Sequence, residues 1–157
     1  MSDLELLVRP AEVGDCEIIA EFNCLLAEES EDTHLDAATI RAGVAALLAD
    51  SHKGRYFMAC VGDRIVGQLM HTREWSDWRN GHIWWLQSVY VHPDFRRQGV
   101  FRRLYDHLVS EAEGDPNVVG IRLYVEPNNH HAQKTYSDLG MHQPGYFVMQ
   151  RFFEHDH

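Results

Sequence analysis

The spacing of apolar residues changes several times along the chain, and each change marks an element. Leu6 and Val8 alternate as far as Pro10, a short opening strand ended by a residue that cannot donate to a ladder. Asp15 stands where a helix N-cap belongs, and Ile18, Phe22 and Leu25 follow at helical spacing, predicting a first helix to about Glu28. The acidic stretch Glu28 to Asp32 interrupts the pattern. Asp36 then caps a second predicted helix with Ile40, Val44, Leu47 and Leu48 on its apolar face, ending near Asp50.

From Tyr56 the period becomes two. Tyr56 to Val61 and Arg64 to Met70 flank Gly62-Asp63, a connection that suits a type II′ hairpin. Glu74 to Asn80 is polar and reads as a loop. His82 to Val91 is apolar on both faces, the mark of a central strand covered on both sides. Pro93 ends it, and Gly99 opens a helix marked by Val100, Leu104, Leu108 and Ala112 that stops at Gly114-Asp115-Pro116. Val119 to Val125 alternates again. Strand, helix and strand in this order predict a parallel pair joined by a right-handed crossover. Asn128-Asn129 starts a short helix ending at Gly140, and Tyr146 to Phe153 reads as a closing strand.

A chain of 157 residues suits one domain, taken as 1–157. Lys and Arg number 14 against 24 Asp and Glu, a net charge of -10 that repels nucleic acid and acidic membrane surfaces and favours a cationic small-molecule partner. Cys16, Cys24 and Cys60 are odd in number and contain no C-x-x-C pair, so buried thiols in a reducing cytoplasm are expected rather than a disulfide framework or zinc site. Met1 to Glu12 carries Asp3, Glu5 and Arg9 and lacks the apolar run of a leader, and no segment of about 18 apolar residues occurs. Neither secretion nor membrane insertion is expected. His130-His131 and His155-x-His157 invite a metal, but adjacent helical residues point about 100° apart, and no metal site is expected.

Within this acidic chain Arg96, Arg97, Arg102 and Arg103 gather around Gly99. The residues alone leave three readings: an anion cradle at a helix N-terminus, a basic patch for nucleic acid, and a solvated helix face. In the first, amides from about Gln98 to Arg102 point unpaired beyond the strand ends, and the arginines add charge-assisted bonds to phosphate. Neither G-x-x-x-x-G-K-[ST] nor G-x-G-x-x-G occurs, which removes the best support for nucleotide hydrolysis and dinucleotide redox chemistry.

Val89-Tyr90-Val91-His92-Pro93-Asp94-Phe95-Arg96-Arg97-Gln98-Gly99-Val100-Phe101 resembles the central strand and R/Q-x-x-G-x-G/A loop of the GNAT superfamily of N-acetyltransferases; Arg96 and Gly99 match, and Phe101 stands where Gly or Ala is usual. Asn129 to Met141 resembles the same family's N-x-x-A-x-x-x-Y-x-x-x-G-F pattern, with Met141 for Phe. The resemblance spans nearly the whole chain. It implies an α/β fold of the acyl-CoA N-acyltransferase kind: a mixed, mostly antiparallel sheet with a central, splayed parallel strand pair and helices on both faces. It further implies acetyl-CoA as cosubstrate, with Val89 and Val91 pairing to its pantetheine arm. Arg96, Arg97, Gln98, Gly99, Val100, Phe101 and Arg102 would hold its diphosphate, and Asn129 would touch the pantetheine region.

The same resemblance implies acetyl transfer to a primary amine of a small molecule or peptide, with Tyr136 as the acid that protonates the departing thiolate. Some members use a Glu on the central strand as base, but here that neighbourhood reads Leu86-Gln87-Ser88. Candidates elsewhere are His82, Glu74, Asp77, Glu28 and Glu29. Trp75 and Trp78 are candidate walls of an acceptor pocket. A homodimer is an allowed assembly, and a non-catalytic acyl-CoA-binding regulatory module is the rival reading.

Overall fold

The computed structural model of the chain describes residues 5–154. Asp3 of the leader reading and the His155 and His157 pair lie outside the described residues. The chain divides into two compact units, Met1–Tyr124 and Val125–His157.

The first unit is built on five strands in the spatial order β1 (Leu6–Pro10), β2 (Arg55–Val61), β3 (Arg64–Ser76), β4 (Gly81–Val91) and β5 (Val118–Leu123). The first four pair antiparallel with their neighbours, and β4 pairs parallel with β5. Three helices accompany the sheet: α1 (Cys16–Glu31), α2 (Ala37–Ala49) and α3 (Val100–Glu113). The mixed sheet is the fold the resemblance implied, and its parallel pair is the one the strand–helix–strand order predicted.

Strand alternation assigns the helices to faces. Tyr56, Met58 and Cys60 of β2 pack with Ile19 of α1 and Val44 of α2. Phe57, which points the other way, meets the His107 ring of α3 with centroids 4.8 Å apart. Helices α1 and α2 thus cover one face and α3 the other. Gly62 has φ 60° in the β2–β3 turn, as a II′ hairpin requires.

Three expectations are corrected. The stretch read as a loop continues the ladder: Trp75 pairs with His82 and Ser76 with Gly81, leaving only a turn between the strands. Trp75 and Trp78 there are 55% and 87% exposed. Asp15 does not cap α1 with its side chain; it accepts from the Arg9 guanidinium at 2.7 and 3.0 Å and from the Glu12 amide at 2.7 Å. The Arg9 hydrogen bonds hold its carboxyl below the usual carboxylate range. Finally, 146–153, read as a closing strand, has no regular secondary structure. The second unit contains one helix, α4 (His130–Asp138), ended at Gly140 with φ 93°.

His71 of β3 is fully buried. It stacks on Trp84 with centroids 3.9 Å apart, and accepts weakly from Arg55 Nε at 3.5 Å. Burial, reinforced by the Arg55 charge, pushes its pKa down to about 4. The unfolded ring titrates near 6.5, so below that pH the unfolded chain gains a proton that the native state refuses. This contribution to stability is fully present above pH 6.5 and is lost as pH falls through 4, on the order of 3 kcal/mol in all. Urea unfolding of wild type and His71→Phe between pH 7 and 4 checks this: the wild type should lose more stability over that window, whereas parallel curves would contradict it.

Candidate active site

Strand β4 follows β3 throughout but follows β5 only part way. Its register with β5 runs from His82 opposite Val118 to Leu86 opposite Leu123 and stops there. Residues 87–91 have no β5 partner, so the parallel pair opens toward its C-terminal ends.

The opening coincides with a bulge. Met70 of β3 lies opposite Gln87, yet Gln68 lies opposite Tyr90, so β4 carries one extra residue there. Ser88 takes it up at φ 51°, a left-handed conformation that costs a non-glycine residue roughly 1–2 kcal/mol. Buried side chains hold it in place. Gln68 Nε2 donates to the Ser88 carbonyl at 3.1 Å and to Asn23 Oδ1 at 3.3 Å, and Asn23 Nδ2 donates to the Tyr56 hydroxyl at 3.0 Å. The bulge also changes which way β4 faces. Trp84 lies on the α3 side, stacked on His71 above Phe57. Tyr90, which simple alternation puts on that same side, packs instead on Phe22 of α1 with centroids 5.1 Å apart.

Beyond Val91 the chain makes a 3-10 turn at Pro93–Phe95 and enters α3. Arg97 at φ 61° and Gly99 at φ 84° are both left-handed, and Gly99 is the N-cap of α3 with no side chain capping the helix. The first helical bond runs from the Arg103 amide to the Gly99 carbonyl at 3.0 Å, so the preceding amides face outward from the helix end. Gly67 fixes the height of that end above the sheet. A Cβ there would lie 3.0 Å from Val100 Cγ1 and 3.2 Å from the Tyr90 carbonyl. An opened strand edge at Val89 and Val91 and a helix N-terminus thus share one end of β4. The edge suits an extended amide-containing chain, and the helix end suits an anion.

The arginines are less available than their number suggests. Arg96 donates to Glu29 of α1 at 2.6 Å and to the Val91 carbonyl at 2.9 Å, with its guanidinium 5.3 Å from the Tyr90 ring centre. Arg102 pairs with Asp106 at 2.9 Å, and Arg103 donates to the Leu6 carbonyl at 3.0 Å. Arg96 and Arg102, both expected at the phosphate, are each paired with a carboxylate here. Backbone amides and Arg97 remain for an anion. Glu29 also accepts from the Tyr90 hydroxyl at 2.6 Å. That bond, with Arg96, holds Glu29 below the usual carboxylate range, while burial and Glu29 push Tyr90 up to about 12.

The proposed bases are placed apart. His82 begins β4, and Glu74 lies opposite Ile83. At about 3.3 Å per residue both are roughly 15–20 Å from Ser88, too far for proton transfer at the opened end. Glu74 is occupied besides, accepting from Trp85 Nε1 at 2.8 Å and pairing with Arg122 at 3.2 Å. Glu28 is exposed and pairs with His34 at 3.2 Å. Sequence reading missed Gln68, Ser88 and the Tyr90–Glu29–Arg96 cluster; the polar pair Gln87-Ser88 inside an apolar strand was the available signal.

Two clefts adjoin the sheet. One of about 890 Å³, lined by Arg55, Arg73, Trp84 and His107, lies at the far end of β4 and α3 from the opened pair. A groove of about 620 Å³ runs beside α1 at the near end, edged by Phe22, Leu25, Tyr90 and the carboxylates of Glu21, Glu29 and Asp63. In the second unit Asn129 caps α4, its Oδ1 accepting from the Ala132 amide at 3.1 Å. Tyr136 is half-buried and stands two turns further along α4 on the Asn129 face. Among the described residues there is no group of three or more metal-ligating side chains.

The family model described as acetyltransferase (GNAT) family matches residues 19–141. This chain therefore belongs to the GNAT family of acetyltransferases. It is similar to the thialysine N-epsilon-acetyltransferase of Bos taurus, 27% identical over 147 residues that cover 86% of this chain and 83% of that one. Among solved structures it is similar to a possible acetyltransferase from Clostridium difficile 630, with 42% identity and a TM-score of 0.90 over 98% of this chain and all of that one. A predicted acetyltransferase from Clostridium acetobutylicum, solved with acetyl-CoA, shares the fold at a TM-score of 0.77 and 18% identity, covering 97% of this chain and 99% of that one.

Gly99→Val tests the helix-end site. A branched side chain resists φ 84°, but its Cβ would meet nothing within 4 Å, so the fold should survive. Calorimetry should show the Kd for coenzyme A raised at least about tenfold, with Tm lowered by only a few degrees. Unchanged affinity would place the diphosphate elsewhere.

Proposed function

We propose that the protein is an acetyl-CoA-dependent N-acetyltransferase that passes acetyl directly to a primary amine of a small molecule or peptide. The observation that carries this reading is the conjunction at one end of β4: a strand edge abandoned by β5 after Leu86, beside a helix N-terminus capped only by Gly99. Family membership supports acetyl transfer, and the thialysine enzyme's name points to an amino-acid-like amine.

Acetyl-CoA supplies an acetyl group activated as a thioester. The amides at the start of α3, with Arg97, bind its diphosphate, and Val89 and Val91 offer backbone groups to the pantetheine arm. The amine nitrogen forms a bond to the acetyl carbon and the carbon–sulfur bond breaks. Tyr136 gives its phenolic proton to the departing sulfur, the proton that the nitrogen sheds as the amide forms restores the phenol through water, and Asn129 fixes the start of the helix that carries Tyr136. No candidate imidazole or carboxylate stands free at the bulge, so the proton of the acceptor ammonium leaves through water. The groove beside α1 carries Glu21 and Asp63 at its rim, with Arg64 among its lining and Glu29 already paired to Arg96; it is the nearest cleft to the opened strand for the acceptor. The unpaired thiols Cys16, Cys24 and Cys60 fit a reducing, cytoplasmic setting and lack a base that would make one a nucleophile.

Thiol release from acetyl-CoA across a panel of amines, amino acids and peptides tests the activity. Tyr136→Phe should lower kcat at least about tenfold and leave coenzyme A affinity within about twofold. A protein that binds coenzyme A but acetylates nothing in the panel would instead be the regulatory module.

A further inference from the structure

The strands of the parallel pair carry two aromatic rings at the point where they part. The register of β4 with β5 ends at Leu86 opposite Leu123, and Tyr124, the next residue of the chain, sets its ring against that of Trp85 with centroids 4.6 Å apart. Trp84 lies on the α3 side, so Trp85 faces the other way, toward α1 and α2. Gln87 shares that face, because its partner on β3 is Met70, which packs against the cluster of Ile19, Val44 and Tyr56. The helices leave this part of the sheet open: Tyr124 is 61% exposed and Trp85 is half-buried.

Hydrogen bonds fix what the patch presents. Trp85 Nε1 donates to Glu74 at 2.8 Å, and Glu74 is paired with Arg122 at 3.2 Å. The indole is thereby held, the neighbouring carboxylate is neutralised, and ring surface is what a ligand meets. Gln87 Nε2 donates to Thr72 Oγ1 at 2.7 Å. With Nε2 so used, Gln87 Oε1, which has no hydrogen-bond partner among the described residues, is left as an acceptor at the first residue of β4 without a β5 neighbour.

We propose that Trp85 and Tyr124 select the acceptor: it is a primary amine at the end of an unbranched alkyl chain, whose ammonium lies against the two rings and donates to Gln87 Oε1. This rests on the acetyl-transfer reading above and names the acceptor class for it. Ring faces attract a cation through their quadrupole and an alkyl chain through apolar contact, and offer nothing to a carboxylate. Arg122, beside the rings, is already held by Glu74. A chain-end amine is therefore favoured over the α-amine of a free amino acid, whose adjacent carboxylate finds no partner here. Gln87 is a neutral acceptor, so it positions the nitrogen without taking its proton. The groove beside α1 lies on the same face at Tyr90, about 10 Å further along β4, a distance that an extended aliphatic chain spans.

The test uses n-pentylamine on wild type, Tyr124→Phe and Tyr124→Leu, by acetyl-CoA turnover and by calorimetric titration in the presence of coenzyme A. Tyr124 is exposed enough for both variants to fold, which circular dichroism and Tm verify. Tyr124→Phe keeps the ring and should hold KM and Kd for the amine within about twofold. Tyr124→Leu keeps apolar bulk without the quadrupole and should raise both on the order of fivefold, with coenzyme A affinity unchanged. n-Pentanol, the uncharged counterpart, should bind roughly tenfold more weakly than the amine or worse. Equal binding of the alcohol, equal behaviour of the Leu and Phe variants, or no binding of n-pentylamine to the wild type would overturn the proposal. A wild type that binds n-pentylamine but acetylates no amine would instead count against acetyl transfer, and the calorimetric comparison would still decide whether the rings hold the cation.

Discussion

The extra residue in β4 at Ser88 is the constraint on which the functional end of the sheet depends. Up to Leu86 the strand is an ordinary parallel neighbour of β5. Past the bulge its side chains change faces, its edge is vacated and Tyr90 turns to meet α1. A left-handed serine persists there because buried groups over-determine it: Gln68 bonds the Ser88 carbonyl and is itself tied through Asn23 to Tyr56. The strain is local and the polar chain that holds it is buried, a pattern expected where a sheet is opened for a ligand rather than packed for stability.

Charge is arranged at two ranges. The whole chain carries a net charge of -10, yet the loop before α3 is locally cationic. Two of its four arginines are paired with carboxylates. Arg96 lies between Glu29 and the Tyr90 ring, and Arg102 lies along its own helix against Asp106. The backbone amides at the start of α3 have their direction fixed by Gly99 and by the close seating of Val100 on Gly67. Arg96 has a different part: it ties α1 to the end of β4, holding the wall of the groove beside α1 against the strand that would carry the acetyl donor.

The order of strands, the parallel crossover and the start of α3 were legible because each rests on local periodicity and on Pro and Gly at fixed places, notably Pro93 and Gly99. The bulge was not. Period-two reading assumes that β4 keeps one alternation throughout, and Ser88 breaks it without changing composition. The hairpin end at Trp75 was hidden because Glu74 to Asn80 is too polar to show the alternation of a strand. Ion pairs of high sequence separation, such as Arg96 with Glu29, leave no trace in spacing. Distance failed in the same way for His82 and Glu74, which lie close in sequence to the opened strand and far along it in space. The segment 146–153 was read as a closing strand from its apolar composition, and it has no regular secondary structure; composition alone does not make a strand.

The central claim is that the gap between β4 and β5 and the amides of the first turn of α3 receive one ligand together. A crystal structure of the protein with coenzyme A tests it most directly. The account predicts the diphosphate within hydrogen-bonding distance of the amides that follow Gly99 and the pantetheine amides paired to the backbone of Val89 and Val91. Density for the diphosphate in the cleft between Arg55 and His107, with the edge of β4 empty, would contradict it.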